Sequence, residues 1–84
     1  MYSYFFSPAA LRQVKKLPKN IQTRIIKKLD FFCKNDPLVY SDNLIDFRLG
    51  GYRLRVGDYR IIFDKEEDDS ILVLKIGHRR DIYK

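Results

Sequence analysis

The sequence predicts an α+β fold of order βααβββ, with a helical hairpin packed on one face of a mainly antiparallel sheet. Three observations predict it. Apolar residues recur at helical spacing between Pro8 and Lys34. Apolar residues alternate with arginines at a period of two between Tyr52 and Phe63. Gly57-Asp58 separates two such alternating runs, which marks a tight β-hairpin. One strand, then two helices, then three strands give an α+β domain with the helices on one sheet face.

The elements follow in order. Tyr2 to Phe6 is short and aromatic-rich and reads as a strand. Ser7 is placed to cap the next helix, and Pro8 suits its first position, where a missing N–H costs nothing. That helix runs to about Leu17, with Leu11, Val14 and Leu17 as its apolar stripe. Pro18 breaks the chain and starts a second helix in the same way. Ile21, Ile25, Ile26, Leu29, Phe32 and Cys33 form its buried face, while Arg24, Lys27, Lys28 and Lys34 decorate the solvent side. Asn35-Asp36-Pro37 ends it. Lys34 to Asp46 gives no clear pattern. Phe47 to Val56 reads as a strand with a bend at Gly50-Gly51. Tyr59 to Asp64 and Ile71 to Gly77 are the last two strands, joined by a charged turn.

A chain of 84 residues forms one domain, taken as residues 1–84, and buries roughly 60–65% of its extended-chain surface. The net charge is +6, spread along the chain and not gathered in a tail. A basic small domain suits nucleic acid, an anionic membrane surface or an acidic protein. Cys33 is the one cysteine, so no internal disulfide forms, and Cys33 with His78 makes too few ligands for zinc. Cys33 is read as core filler in a reducing, cytoplasmic setting. No signal peptide and no apolar run of membrane-spanning length is visible, so no membrane partner is expected.

The hairpin register places the charges. With Gly57 and Asp58 as the loop, Val56 opposes Tyr59, Arg55 opposes Arg60 and Leu54 opposes Ile61. Glycine at the first loop position predicts a type II′ turn. Tyr52, Leu54, Val56, Tyr59, Ile61 and Phe63 then lie under the helices, and Arg53, Arg55 and Arg60 share the other face. On the last strand, Leu72, Leu74 and Ile76 are placed under the helices, leaving Ile71, Val73 and Lys75 with the arginines. Extension past Gly77 adds Arg79 to that face and turns His78 away.

Like charges directly opposite on a sheet are destabilising, so Arg55 facing Arg60 needs a reason. Either the guanidinium arms splay into water or onto Asp58, Asp64 or Asp81, or the open face binds phosphate. His78 and Tyr83 flank Arg79-Arg80. Adjacent cations favour a phenolate, and either group could move protons in phosphoryl transfer. Glu66 to Asp69 is read as a solvated turn. There is no phosphate-cradling glycine loop and no carboxylate cluster with a clear metal role. No metal or other cofactor is expected, and a nuclease here would use arginines for transition-state charge.

Tyr52-Arg53-Leu54-Arg55-Val56-Gly57-Asp58-Tyr59-Arg60 resembles the RelE/ParE superfamily of type II toxins, and so does Gly77-His78-Arg79-Arg80-Asp81-Ile82-Tyr83. The element order and chain length agree. The RelE-like branch implies a ribosome-dependent mRNA endonuclease that cuts A-site codons, a ribose 2′-hydroxyl attacking the adjacent phosphate and expelling the 5′-oxygen. Carried onto this chain, the resemblance makes Arg60 and Arg79 catalytic charge clamps. It makes Tyr83 the leading proton-transfer group, with His78 as its rival, because arginine is a poor proton donor. Arg53, Arg55, Lys75 and Arg80 are the expected RNA- or phosphate-binding residues. The implied partners are the ribosome, with its A site and ribosomal RNA, mRNA and a cognate acidic antitoxin. Two other readings stay open: a ParE-like toxin that inhibits DNA gyrase without nuclease activity, and an inactive RNA-binding domain.

Overall fold

The computed structural model describes residues 1–43 and 51–82. Strand β1 (Ser3–Phe6) leads into helix α1 (Pro8–Lys15) and helix α2 (Lys19–Lys34). A one-turn helix α3 (Pro37–Tyr40) and a two-residue strand β2 (Asp42–Asn43) follow. Strands β3 (Tyr52–Val56), β4 (Tyr59–Glu66) and β5 (Ser70–His78) complete the sheet, whose order is β1-β5-β4-β3-β2. Among the described residues only the β1–β5 pair is parallel. The α+β class is therefore as expected, and α3 and β2 are additions that the sequence pattern did not reveal. The expected strand start at Phe47 and the bend at Gly50 lie outside the described residues.

Local chemistry explains the helix boundaries. Ser7 has extended backbone and its Oγ accepts the Ala10 N–H at 3.1 Å, while Pro8 opens α1. The same hydroxyl donates to the Leu74 carbonyl at 3.2 Å, which ties the cap to β5. Pro18 caps α2 from outside instead of opening it, and Lys19 is the first helical residue. Without a side-chain cap there, Gln22 Nε2 reaches back to the Leu17 carbonyl at 2.8 Å and closes the link between the helices. Asp36 takes a left-handed φ of 76°, a conformation that aspartate tolerates, and its Oδ1 accepts the Leu38 N–H to start α3.

The core lies between both long helices and one face of the sheet. Ala10, Val14, Ile25, Leu29, Phe32 and Cys33 meet Leu54, Val56, Ile61, Phe63, Ile71, Val73 and Ile76. On α1 the stripe runs through Ala10, Val14 and Leu17, and Leu11 faces solvent. Val14 and Leu17 pack as expected, and Ala10, 0% exposed, takes the place expected for Leu11. Ile26 sits beside Gln22, Thr23 and Lys27 on the surface, outside the core. Cys33 is buried as expected.

Strand β5 departs from its expected alternation. Ile62 pairs with Lys75 but Phe63 pairs with Val73, so Leu74 is an extra residue in a β-bulge. A one-residue slip exchanges the faces of everything beyond it. Ile71 and Val73 are therefore fully buried in the helix-side core, and the placement of Leu72 and Leu74 there is corrected. Ile76 and Lys75, on the hairpin side of the bulge, keep their expected faces. Beyond the short β1, the exposed edge of β5 is sealed by α1, because Gln13 Oε1 accepts the Ile76 N–H at 2.7 Å. Among the described residues no helix is long and apolar enough to cross a membrane.

Candidate functional site

The Gly57-Asp58 hairpin organises the charged residues. Its register is the expected one, with Val56 opposite Tyr59, Arg55 opposite Arg60 and Leu54 opposite Ile61. Gly57 has φ of 59°, and Asp58 does not share that left-handed conformation, as a type II′ turn requires. Arg53, Arg55 and Arg60 consequently stand on the sheet face away from the helices. Lys75 joins them across from Ile62.

Arg60 is half-buried and held. Its Nη1 donates to the carbonyls of Gly57 and Tyr59, each at 2.9 Å, so the guanidinium bends back over the turn. Arg79 comes to the same turn from the end of β5. Its backbone N–H donates to the Asp58 carbonyl at 2.7 Å, which extends the β4–β5 pairing one step past His78. Its Nε lies 3.8 Å from Asp58 Oδ1, with the Arg79 side chain 62% exposed. Such an exposed pair holds the arginine only weakly. Arg60 and Arg79 are thus anchored on adjacent residues of one tight turn, although 19 positions separate them in sequence by numbering alone.

His78 goes the other way. It opposes Tyr59 on β4, and the two rings meet edge to face at 5.4 Å on the helix side. Its Nδ1 accepts the Arg80 backbone N–H at 3.1 Å and, more loosely, Arg80 Nε at 3.4 Å. The structure therefore groups His78 with Arg80 and Tyr59 and separates it from the face of Arg60. Tyr83 lies outside the described residues.

The arginine face is less open than the alternation implied. Ile62 is 0% exposed although it points away from the helix-side core. Ile82 is buried as well. The Asp81 and Ile82 N–H groups both return to the His78 carbonyl, and this turn lays Ile82 over Gly77. A Cβ at Gly77 would stand 3.3 Å from Ile82 Cδ1, tighter than ordinary contact. Gly77 opposes Arg60, so the missing side chain leaves room for the tail on the arginine face. Asp64 is occupied too, its Oδ1 accepting the Gly51 N–H.

Sequence reading missed Ile82 as the residue that seats the tail, and it counted Arg24 among solvated charges. Arg24 in fact reaches the hairpin from α2, where its guanidinium fills the space that a side chain on Gly57 would take. The flank position of Arg24, next to Ile25 and one turn after Ile21, was the available signal. A separate groove, lined by Tyr2, Tyr4, Asp30 and Cys33 among others, lies by β1 at the far end of β5. Tyr4 Oη donates to Asp30 Oδ1 at 2.9 Å there, and burial together with this carboxylate pushes the phenol up to about 12. Burial pushes the Cys33 thiol up to about 11, so it is inert at neutral pH. The arginines, not this groove, carry a case for chemistry.

Known proteins give this geometry a context. The chain resembles the toxin–antitoxin complex RelBE2 of Mycobacterium tuberculosis, with a TM-score of 0.81 and 24% identity over 93% of this chain and 98% of that one. It resembles the archaeal RelE–RelB complex of Pyrococcus horikoshii at 0.72 and 24%, over 95% and 97% of the two chains. For the isolated RelE toxin of E. coli the values are 0.74 and 19%, over 99% and 92%. Identities this low speak for the fold alone. No curated protein sequence matches. The sequence profile for the ParE toxin of the type II toxin–antitoxin system parDE matches residues 4–83. Since that match spans nearly the whole chain, hairpin arginines and tail included, the protein belongs to the ParE toxin family, within the RelE/ParE superfamily of type II toxins.

Proposed function

We propose that this toxin is a ribosome-dependent mRNA endonuclease that cuts codons in the A site. The observation that carries this reading is the anchoring of Arg60 and Arg79 on one turn. Two guanidiniums held on one turn suit a pentacoordinate phosphate, which gathers negative charge that they would stabilise. In the proposed reaction the ribose 2′-hydroxyl attacks the adjacent phosphorus while a base removes its proton. The bond to the 5′-oxygen breaks, and an acid returns a proton to that oxygen. Arg60 and Arg79 hold the phosphate oxygens, and Arg53, Arg55, Lys75 and Arg80 bind the flanking backbone. The arginines supply the positive charge that a metal ion would otherwise provide.

Tyr83 is the proton carrier this reading favours. His78 faces Tyr59 on the other side of the sheet, which makes it the weaker candidate. The antitoxin is expected to be a small acidic protein that covers the same basic surface; the two complexes named above each join a RelE toxin to a RelB antitoxin. The second reading, gyrase inhibition, draws on the ParE description of the matching family.

Primer extension on an mRNA translated with the purified protein separates the two. Cuts confined to A-site codons, and absent without ribosomes, support the nuclease. Intact mRNA together with arrested gyrase supercoiling would place the protein with the gyrase inhibitors.

A further inference from the structure

Arg24 extends from the first half of α2, and its guanidinium rests against the backbone of Gly57. A Cβ on Gly57 would collide with Arg24 Nη2 and would stand 3.3 Å from its Cζ. Gly57 thus does two things: it supplies the positive φ of the turn and it leaves space for a guanidinium at that point. Among the described residues no carboxylate or carbonyl pairs with the Arg24 side chain, so its donors face solvent.

Arg60 reaches the Gly57 carbonyl, Arg79 stands beside the Asp58 carboxylate, and Arg24 covers the Gly57 Cα. Three guanidiniums from α2, β4 and the segment after β5 therefore surround a two-residue turn that supplies one carboxylate. Together they make the hairpin end strongly basic, a surface that attracts anionic groups. The three lie on different elements, so a chain of regularly spaced anionic groups satisfies them better than a single small ion.

We propose that Arg24 is a further phosphate contact, which carries the RNA-binding surface from the outer sheet face around the hairpin end onto α2. The inference rests on the reading of Arg60 and Arg79 as RNA-phosphate contacts, and it names the backbone of single-stranded RNA as the ligand. An acidic peptide offers similar chemistry, and the test distinguishes the two.

Binding of the full-length protein to a short fluorescent single-stranded RNA is measured by anisotropy over a salt series. Arg24→Ala and Arg24→Lys are compared with Lys19→Ala, which removes one exposed charge from the same helix. Thermal unfolding checks that each variant is folded. Arg24→Ala should weaken binding several-fold more than Lys19→Ala. It should also flatten the dependence of log K on log salt concentration by about 0.7, as expected for one lost phosphate contact on a single strand. Arg24→Lys should keep the slope and lose part of the affinity, because lysine lacks the planar fork. Equal effects of Arg24→Ala and Lys19→Ala overturn the proposal. So does wild-type protein that fails to hold RNA at low salt, or an Arg24→Ala variant that loses affinity for an acidic antitoxin peptide alone. The measurement needs no cleavage. A protein that binds RNA through Arg24 yet leaves ribosomal mRNA intact therefore overturns the nuclease reading and keeps this one.

Discussion

Strand β4 has a turn at each end, and the two turns differ in what they gather. At Gly57-Asp58, arginines from three elements meet over glycine and a bent backbone. At Glu67 to Asp69 the turn is built from carboxylates, Asp68 and Asp69 take left-handed φ of 58° and 53°, and Ser70 Oγ donates to the Glu67 carbonyl at 2.7 Å. Both turns accept unusual backbone. The carboxylates of the acidic one stand exposed to solvent. The basic one brings three guanidiniums to a turn that itself supplies one carboxylate, Asp58. The difference is why the basic turn, and not the acidic one, is proposed to meet an anionic partner.

Substitutions at the two turns should break this comparison to different degrees. Arg60→Ala removes a guanidinium from the proposed clamp and should lower cleavage by about a hundred-fold or more, the usual scale for losing one transition-state donor. Antitoxin binding and folding should change little, and growth arrest at matched expression reads the outcome. Gly57→Ala should be next. It forces a side chain into left-handed backbone and displaces Arg24, and denaturant unfolding should show a loss of about 1–3 kcal/mol.

A smaller effect follows from the groove at the other end of the sheet. Cys33 and Tyr4 hold their protons more tightly in the folded chain, at about 11 and about 12 against ordinary values of 9.0 and 10.0. The neutral forms are favoured by folding. Their stabilisation is therefore full below pH 9.0 and lost as pH rises toward about 12. Unfolding midpoints followed through this range should fall, and Cys33→Ala should delay the first part of the fall. The smallest effect is expected at the acidic turn. Asp68→Gly should leave cleavage unchanged and shift stability by less than about 1 kcal/mol, since glycine suits the backbone already present.

How far the sequence could be read depended on how sharply each segment fixes its phase. Arg53, Leu54, Arg55 and Val56 alternate strictly, and Gly57 pins the turn, so the hairpin register and the faces of Arg55 and Arg60 were legible. Ile71 to Ile76 is apolar at every position except Lys75. A period of two has no phase there, and the bulge at Leu74 could not be seen. The one-turn helix α3 was hidden because four residues make too short a pattern. Arg24 looked like any charge beside an amphipathic stripe until the fold brought Gly57 next to it. Arg60 and Arg79 were singled out as a pair through resemblance; their contacts with a single turn needed the three-dimensional arrangement.

The account stands or falls most directly on purified wild-type protein and Arg60→Ala, each added to ribosomes translating a defined mRNA, with 5′ ends mapped by primer extension. Wild type should produce cuts in A-site codons only when ribosomes are present, and folded Arg60→Ala should produce almost none. Equal cutting by the two proteins would contradict the role of the hairpin arginines, and uncut mRNA with both would contradict the nuclease itself.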